Sequence, residues 1–251
     1  MIEFNYSKIY DYKYYTCGQL HGLDSWKKRT IKFGDNLAAL CYALHIEWDT
    51  LVKNFPIVFQ KNEYGDTSDH PYTIEDIAEF FKKNIQYKST ILEVGGGRGE
   101  LSNLMTHLNI DHTSVEVCLD ADRLYRETGE HFFGQNHLYK SPIIGPIEKL
   151  LEQNLIHLNN FDAIIFPESA EHIPTENFNY ILERIEAEFK GRFIVTNWKY
   201  YHPIIGSLDN PGHPHTMEEH VADINDEVYA RWARRAKKLI YKDRSHLVLQ
   251  F

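Results

Sequence analysis

The chain has 251 residues, 43% of them hydrophobic and 25% charged, which suits a soluble domain large enough for a full core. No apolar run approaches the roughly 18 residues of a membrane span, and a net charge of −9 disfavours a surface for duplex nucleic acid. The opening MIEFNYSKIYDYKYY lacks the order of a secretory signal, and three distant cysteines, Cys17, Cys41 and Cys118, do not form a disulfide framework. The expectation is a cytoplasmic protein with reduced thiols; nothing in the sequence sets an oligomeric state.

Residues 1–72 read as an N-terminal helical and aromatic extension. The tyrosines of NYSKIYDYKYY combine apolar rings with hydroxyl donors, so they either pack on the domain surface or line an acceptor pocket as a lid. DNLAALCYALHIEWDTLVKNF has apolar residues at helical spacing, and KNEYGDTSDHPY after it is a loop of turn residues. TIEDIAEFFKKN opens with Thr73 and Asp76 in a capping-box arrangement and continues as an amphipathic helix.

From residue 90 onward, short apolar runs alternate with helical segments: TILEV, TSVEV, HLYK, FDAIIF and RFIVTN. That alternation predicts an α/β fold with a parallel sheet covered on both faces. RWARRAKK lies at helical spacing and reads as a solvated helix face. KKLIYKDRSHLVLQF is two strands joined by a polar turn, an antiparallel hairpin that closes the sheet.

Between the first strand and its helix stands ILEVGGGRGEL. Glycine at 95, 97 and 99 lets the backbone turn tightly and approach a ligand, at the carboxyl edge where open α/β sheets bind ligands. A dinucleotide fingerprint would need glycine at position 100, where Glu100 would repel a pyrophosphate, so a nicotinamide oxidoreductase is disfavoured. Glu93, Gly95, Gly97 and Gly99 together resemble the first motif of class I S-adenosylmethionine-dependent methyltransferases. In that family an acid at the end of strand two holds both ribose hydroxyls, a position Glu116 occupies. The antiparallel strand seven inserts beside strand five, which matches the terminal hairpin. The resemblance covers residues 73–251 and implies a Rossmann-like seven-stranded methyltransferase sheet that binds S-adenosylmethionine. It departs from the family around YKSPIIGP, which has no clear acid for the adenine amino group.

PESAEHIP follows the fourth strand, whose end faces the cofactor's methyl group in that family. The spacing of Glu168, Glu171 and His172 resembles the metal-dependent enzymes that methylate the terminal 2′-hydroxyl of small RNAs, where two glutamates and two histidines hold Mg²⁺ or Mn²⁺. The second histidine corresponds to His220, with Glu219 before it, Asp223 after it, Asn225 as a helix N-cap and Trp232 on the helix. Two carboxylates and two imidazoles form a mixed oxygen and nitrogen set suited to such a dication. Without a metal, His172 serves as a lone general base; as a structural reading, the acids cap the following helix. His202, His213 and His215 lie in a proline-rich loop, and His215 is a further candidate base.

The function expected is methyl transfer to a hydroxyl of a small molecule: a sugar, a nucleotide or a natural-product intermediate. RNA 2′-O-methylation is an alternative, although the chain lacks the aromatic residues of the RNA enzymes, having Ala222 and Ile224 instead. A cofactor-binding partner subunit without catalysis is another.

Overall fold

The computed structural model describes residues 1–6, 10–16, 34–56, 72–196, 226–242 and 246–251. The strands are β1 (Ile91–Val94), β2 (His112–Glu116), β3 (Ile143–Ile144), β4 (Ala163–Pro167), β5 (Arg192–Thr196), β6 (Lys238–Lys242) and β7 (His246–Gln250). They form one seven-stranded sheet in the order β3-β2-β1-β4-β5-β7-β6. The first five pair in parallel, and β7 lies antiparallel between β5 and β6. This is a Rossmann-like sheet with the inserted last strand that the terminal hairpin implied.

The central strands β1, β4 and β5 are mostly apolar and buried because both faces are covered, whereas the edge strand β6 is largely exposed. Side chains alternate across a strand. Ile91, Ala163, Ile165, Ile194 and Val248 therefore face one core, with α2 (Gly34–Ala43), α3 (Trp48–Asn54), α4 (Ile74–Asn84) and α5 (Glu100–His107). Leu92, Ile164, Phe166, Phe193 and Leu249 face the other, with α7 (Ile147–Glu152), α8 (Thr175–Glu188) and α9 (Asp226–Arg235). There Trp232 of α9 stacks on Phe178 of α8 at 4.6 Å. A smaller cluster joins Tyr6, Tyr10 and Tyr15, the last on α1 (Tyr12–Thr16), to Cys118 and to Tyr125 of α6 (Ala121–Phe133). Cys41 and Cys118 are buried free thiols. No helix among the described residues is long and apolar enough to cross a membrane.

One strand lies elsewhere than expected. HLYK, residues 137–140, is not extended sheet; β3 is the two residues Ile143 and Ile144, which pair with Val115 and Glu116. Leu138 is 81% exposed, so its apolar side chain answers to no core. The β-branched pair after Pro142 is what fits the pleat. The loop reading of residues 61–71 lies outside the described residues.

The capping box of α4 is present as expected: Thr73 accepts from the Asp76 N–H at 3.2 Å, and Asp76 accepts from the Thr73 N–H at 2.8 Å. Thr73→Ala should lower unfolding free energy by about 1 kcal/mol, read from the urea midpoint at unchanged slope.

Candidate active site

Gly95, Gly97 and Gly99 leave β1 at φ of +77°, +59° and +82°, a region that side chains disfavour. The loop is also clamped. A Cβ on Gly96 would run into the Tyr125 hydroxyl and Ser114, one on Gly99 into the Tyr125 ring, and one on Gly95 into Ser169. The Ser169 hydroxyl in turn donates to the Val94 carbonyl at 2.6 Å. Gly97 is different: its Cβ would meet only Tyr15, at 3.7 Å, so backbone angle and not space requires glycine there.

Two buried acids stand behind and beside this loop. Glu93 accepts from Ser114 Oγ at 2.6 Å, and Ser114 is 2.7 Å from the Tyr125 hydroxyl. Burial pushes the Glu93 carboxyl up to about 7; Ser114 opposes the rise, while the charges of Glu100 and Glu116 add to it. Glu116 Oε2 accepts from the Gly97 N–H at 2.7 Å. Its Oε1 accepts from the N–H groups of Val117 at 2.8 Å and Cys118 at 3.1 Å, and from the Tyr15 hydroxyl at 3.3 Å. Burial still raises the Glu116 carboxyl above its ordinary value, against the pull of those donors. Glu100, the residue that stands where a dinucleotide fingerprint needs glycine, is ion-paired with Arg98.

At the exit of β4, the Glu168 N–H donates to the Thr196 carbonyl at 2.7 Å, extending the ladder by one residue. Its backbone then turns at φ +49°, and its side chain is exposed. A 3₁₀ turn over Ala170–His172 follows. Glu171 is buried, with Oε1 4.0 Å from His172 Nε2, and the Tyr10 ring meets the imidazole edge-on at 5.6 Å. The following helix has Pro174 at its N-cap, so neither glutamate caps it.

One cavity is lined by Glu93, Gly95, Gly97 and Glu116 together with Glu168, Glu171 and His172. Gly99 is not among the described lining residues and lies against the Tyr125 ring. His220, His215, His202, His213 and Asn225 lie outside the described residues. Among the described residues, no group of three or more histidine, cysteine, aspartate or glutamate side chains is placed to hold a metal ion.

The same cavity is lined by residues without a sequence signal, Glu148 foremost, and by Tyr6, Tyr10 and Tyr15. Tyr6, Tyr10 and Tyr15 share a buried cluster with α6 and also border the cavity. The chain start is tied down as well. The Ile2 N–H donates to Asn177 Oδ1 at 2.8 Å, and Asn177 Nδ2 donates back to the Ile2 carbonyl at 3.1 Å. Ser114 could have been found: it lies two residues before Glu116 and so on the same face of β2.

No family of known proteins matches the sequence, and no curated protein does. Among solved structures, the chain is similar to the PH0226 protein of Pyrococcus horikoshii OT3, at 17% identity over 81% of this chain and 98% of that one, with a TM-score of 0.48. It is similar to PigF solved with S-adenosylhomocysteine, at 15% identity over 88% and 73%, with a TM-score of 0.47. The CcbJ methyltransferase of Streptomyces caelestis is a further likeness, at 15% identity over 59% and 58%, with a TM-score of 0.37. These likenesses are too distant to carry a function, which rests on the cavity.

The raised Glu93 carboxyl has a consequence for stability. Between its ordinary pKa of 4.5 and about 7 the folded chain holds a proton that the unfolded chain has lost. Stability therefore falls as pH rises through that window. Glu93→Gln has no such slope. Its stability relative to the parent should rise by about 3 kcal/mol between pH 5 and pH 8, measured by urea unfolding at both pH values.

Proposed function

We propose that the protein is an S-adenosylmethionine-dependent O-methyltransferase acting on a hydroxyl of a small molecule. The observation that carries the reading is a single cavity at the carboxyl ends of β1, β2 and β4, bordered by a positive-φ glycine loop, the buried Glu116 carboxylate and His172. When bound, the cofactor supplies a methyl group on a cationic sulfur. Glu116 fits the ribose hydroxyls. Three of its four donors are backbone N–H groups, and the fourth, the Tyr15 hydroxyl, is on a side chain that can yield its place. The buried acids around the loop favour a cationic ligand over a pyrophosphate, which supports this cofactor over a nicotinamide dinucleotide.

His172 is assigned the proton of the acceptor hydroxyl. The Glu171 carboxylate beside it favours the protonated imidazole that this transfer creates. Proton removal at His172 needs no Mn²⁺ or Mg²⁺ ion held by Glu168, Glu171, His172 and His220. The described members of that set do not assemble a site, and the Glu168 side chain is exposed. The acidic cavity also disfavours RNA as the acceptor.

Glu116→Ala should weaken S-adenosylhomocysteine binding by a few kcal/mol in calorimetry, since it removes a buried hydrogen-bonded charge. Unchanged affinity, or binding of NADH instead, would sink the cofactor assignment. His172→Ala should lower kcat about 10²- to 10⁴-fold at unchanged S-adenosylhomocysteine affinity, and the parent should keep its turnover in EDTA. Loss of turnover in EDTA with recovery on added Mn²⁺ would return the dication set.

A further inference from the structure

The cavity holds more carboxylates than the cofactor requires. Among the described residues that line it are Glu93, Glu100, Glu116, Glu148, Glu168 and Glu171, while the only lysine or arginine is Arg98, paired with Glu100. Glu100, Glu148 and Glu168 have no assigned part in methyl transfer; Glu100 is paired with Arg98 and Glu168 is exposed, which leaves Glu148.

Glu148 is 2% exposed, in the first turn of α7. Its Oε1 accepts from the Tyr6 hydroxyl at 3.0 Å and from Asn177 Nδ2 at 2.9 Å. Its Oε2 is buried without a hydrogen-bond partner among the described residues. Neither neighbour supplies positive charge. Burial and the Glu148 charge raise the Tyr6 phenol far above its ordinary value, so Tyr6 stays a neutral donor. Asn177 is a neutral amide whose Oδ1 is taken by Ile2. A buried carboxylate oxygen without a donor is costly, and a cation is the partner that offsets the cost best.

We propose that Glu148 seats a protonated amine of the methyl acceptor, so that the substrate class is a small hydroxylated amine and not a sugar phosphate, a nucleotide or RNA. This rests on the methyl-transfer reading and narrows it. Two arrangements place Glu148 with the acceptor. Its partner Asn177 belongs to α8, the helix that follows the turn carrying Glu171 and His172, and the carbonyl of its partner Tyr6 accepts from the N–H of Tyr10, whose ring meets His172. The partners of Glu116 come instead from the glycine loop, the exit of β2 and Tyr15. Tyr6 and Tyr10 also line the cavity, and tyrosine rings attract ammonium groups. A phosphorylated acceptor would meet the carboxylates with no unpaired lysine or arginine among the described lining residues to receive it. The competing donor is an amino group of the cofactor itself.

The test is calorimetry on protein saturated with S-adenosylhomocysteine, using two matched series. One is tyramine, 4-ethylphenol and 4-hydroxyphenylacetate; the other is glucosamine, glucose and glucose 6-phosphate. In at least one series the amine should bind about tenfold or more tightly than its neutral and anionic counterparts, and Glu148→Gln should remove that advantage while leaving S-adenosylhomocysteine affinity unchanged. The proposal is overturned if neither amine binds, if a neutral or anionic member binds as well, or if the advantage survives in Glu148→Gln. It is also overturned if Glu148→Gln weakens S-adenosylhomocysteine instead, which would assign Glu148 to the cofactor. Five other carboxylates line the cavity, so the parent series can overturn the proposal but does not by itself assign the amine to Glu148. If Glu148→Gln does not fold, Glu148→Asp, which withdraws the charge, should cut the amine preference at unchanged S-adenosylhomocysteine affinity, and an unchanged preference overturns the proposal. If the parent binds no S-adenosylhomocysteine, the cofactor reading fails by itself, and the same series on ligand-free protein judges Glu148 alone.

Discussion

The hydrogen bond from the Gly97 N–H to Glu116 Oε2, 2.7 Å long, is the constraint around which the site is arranged. It joins the loop after β1 to the exit of β2, and it holds a buried carboxylate that no lysine or arginine touches among the described contacts. Gly97 presents its N–H there at positive φ, and Tyr125, Ser114 and Ser169 fill the space that side chains at the neighbouring glycines would need. The packing of α6 and of the β4 exit thus serves the loop, and the loop serves Glu116.

Gathering so many carboxylates in one cavity is unfavourable without a ligand. Glu93 feels both Glu100 and Glu116, which together with burial hold its proton on near neutrality. A cation brought into the cavity would relieve that repulsion, whereas an anion would add to it. On the proposed methyl-transfer reading, the acidity that favours a sulfonium cofactor over a pyrophosphate also bears on the acceptor.

The N-terminal segment belongs to both the core and the site. Ile2 is bound by Asn177 of α8, Tyr6 by Glu148, and Tyr10 lies on His172; Tyr12 donates to Glu127 of α6, and Tyr15 donates to Glu116. Each of these contacts spans over a hundred residues of chain, so the cavity wall exists only in the folded protein. α2 does similar work on the opposite side, where its buried Leu37 and Leu40 share one core with Ile165 and Ile194.

The local patterns were legible because they depend on neighbouring residues only. Continuous apolar runs mark strands buried on both faces, every-second-residue glycine marks a positive-φ turn, and Thr73 with Asp76 marks a helix start. The terminal hairpin announced an antiparallel closing strand by the same logic. The shortest strand was not legible: exposed Leu138 imitates a strand residue, while the two-residue β3 is too short to show a period. The acids at 93, 116, 168 and 171 could be picked out from their places at strand ends, and the fold brings them to one cavity. What the tertiary structure alone decided is which groups meet there. Tyr125 closes on Ser114 behind Glu93, and Tyr6 and Asn177 leave one Glu148 oxygen unpaired among the described residues; sequence spacing carries no signal for these, because such hydrogen bonds and burial are set by contacts between distant segments.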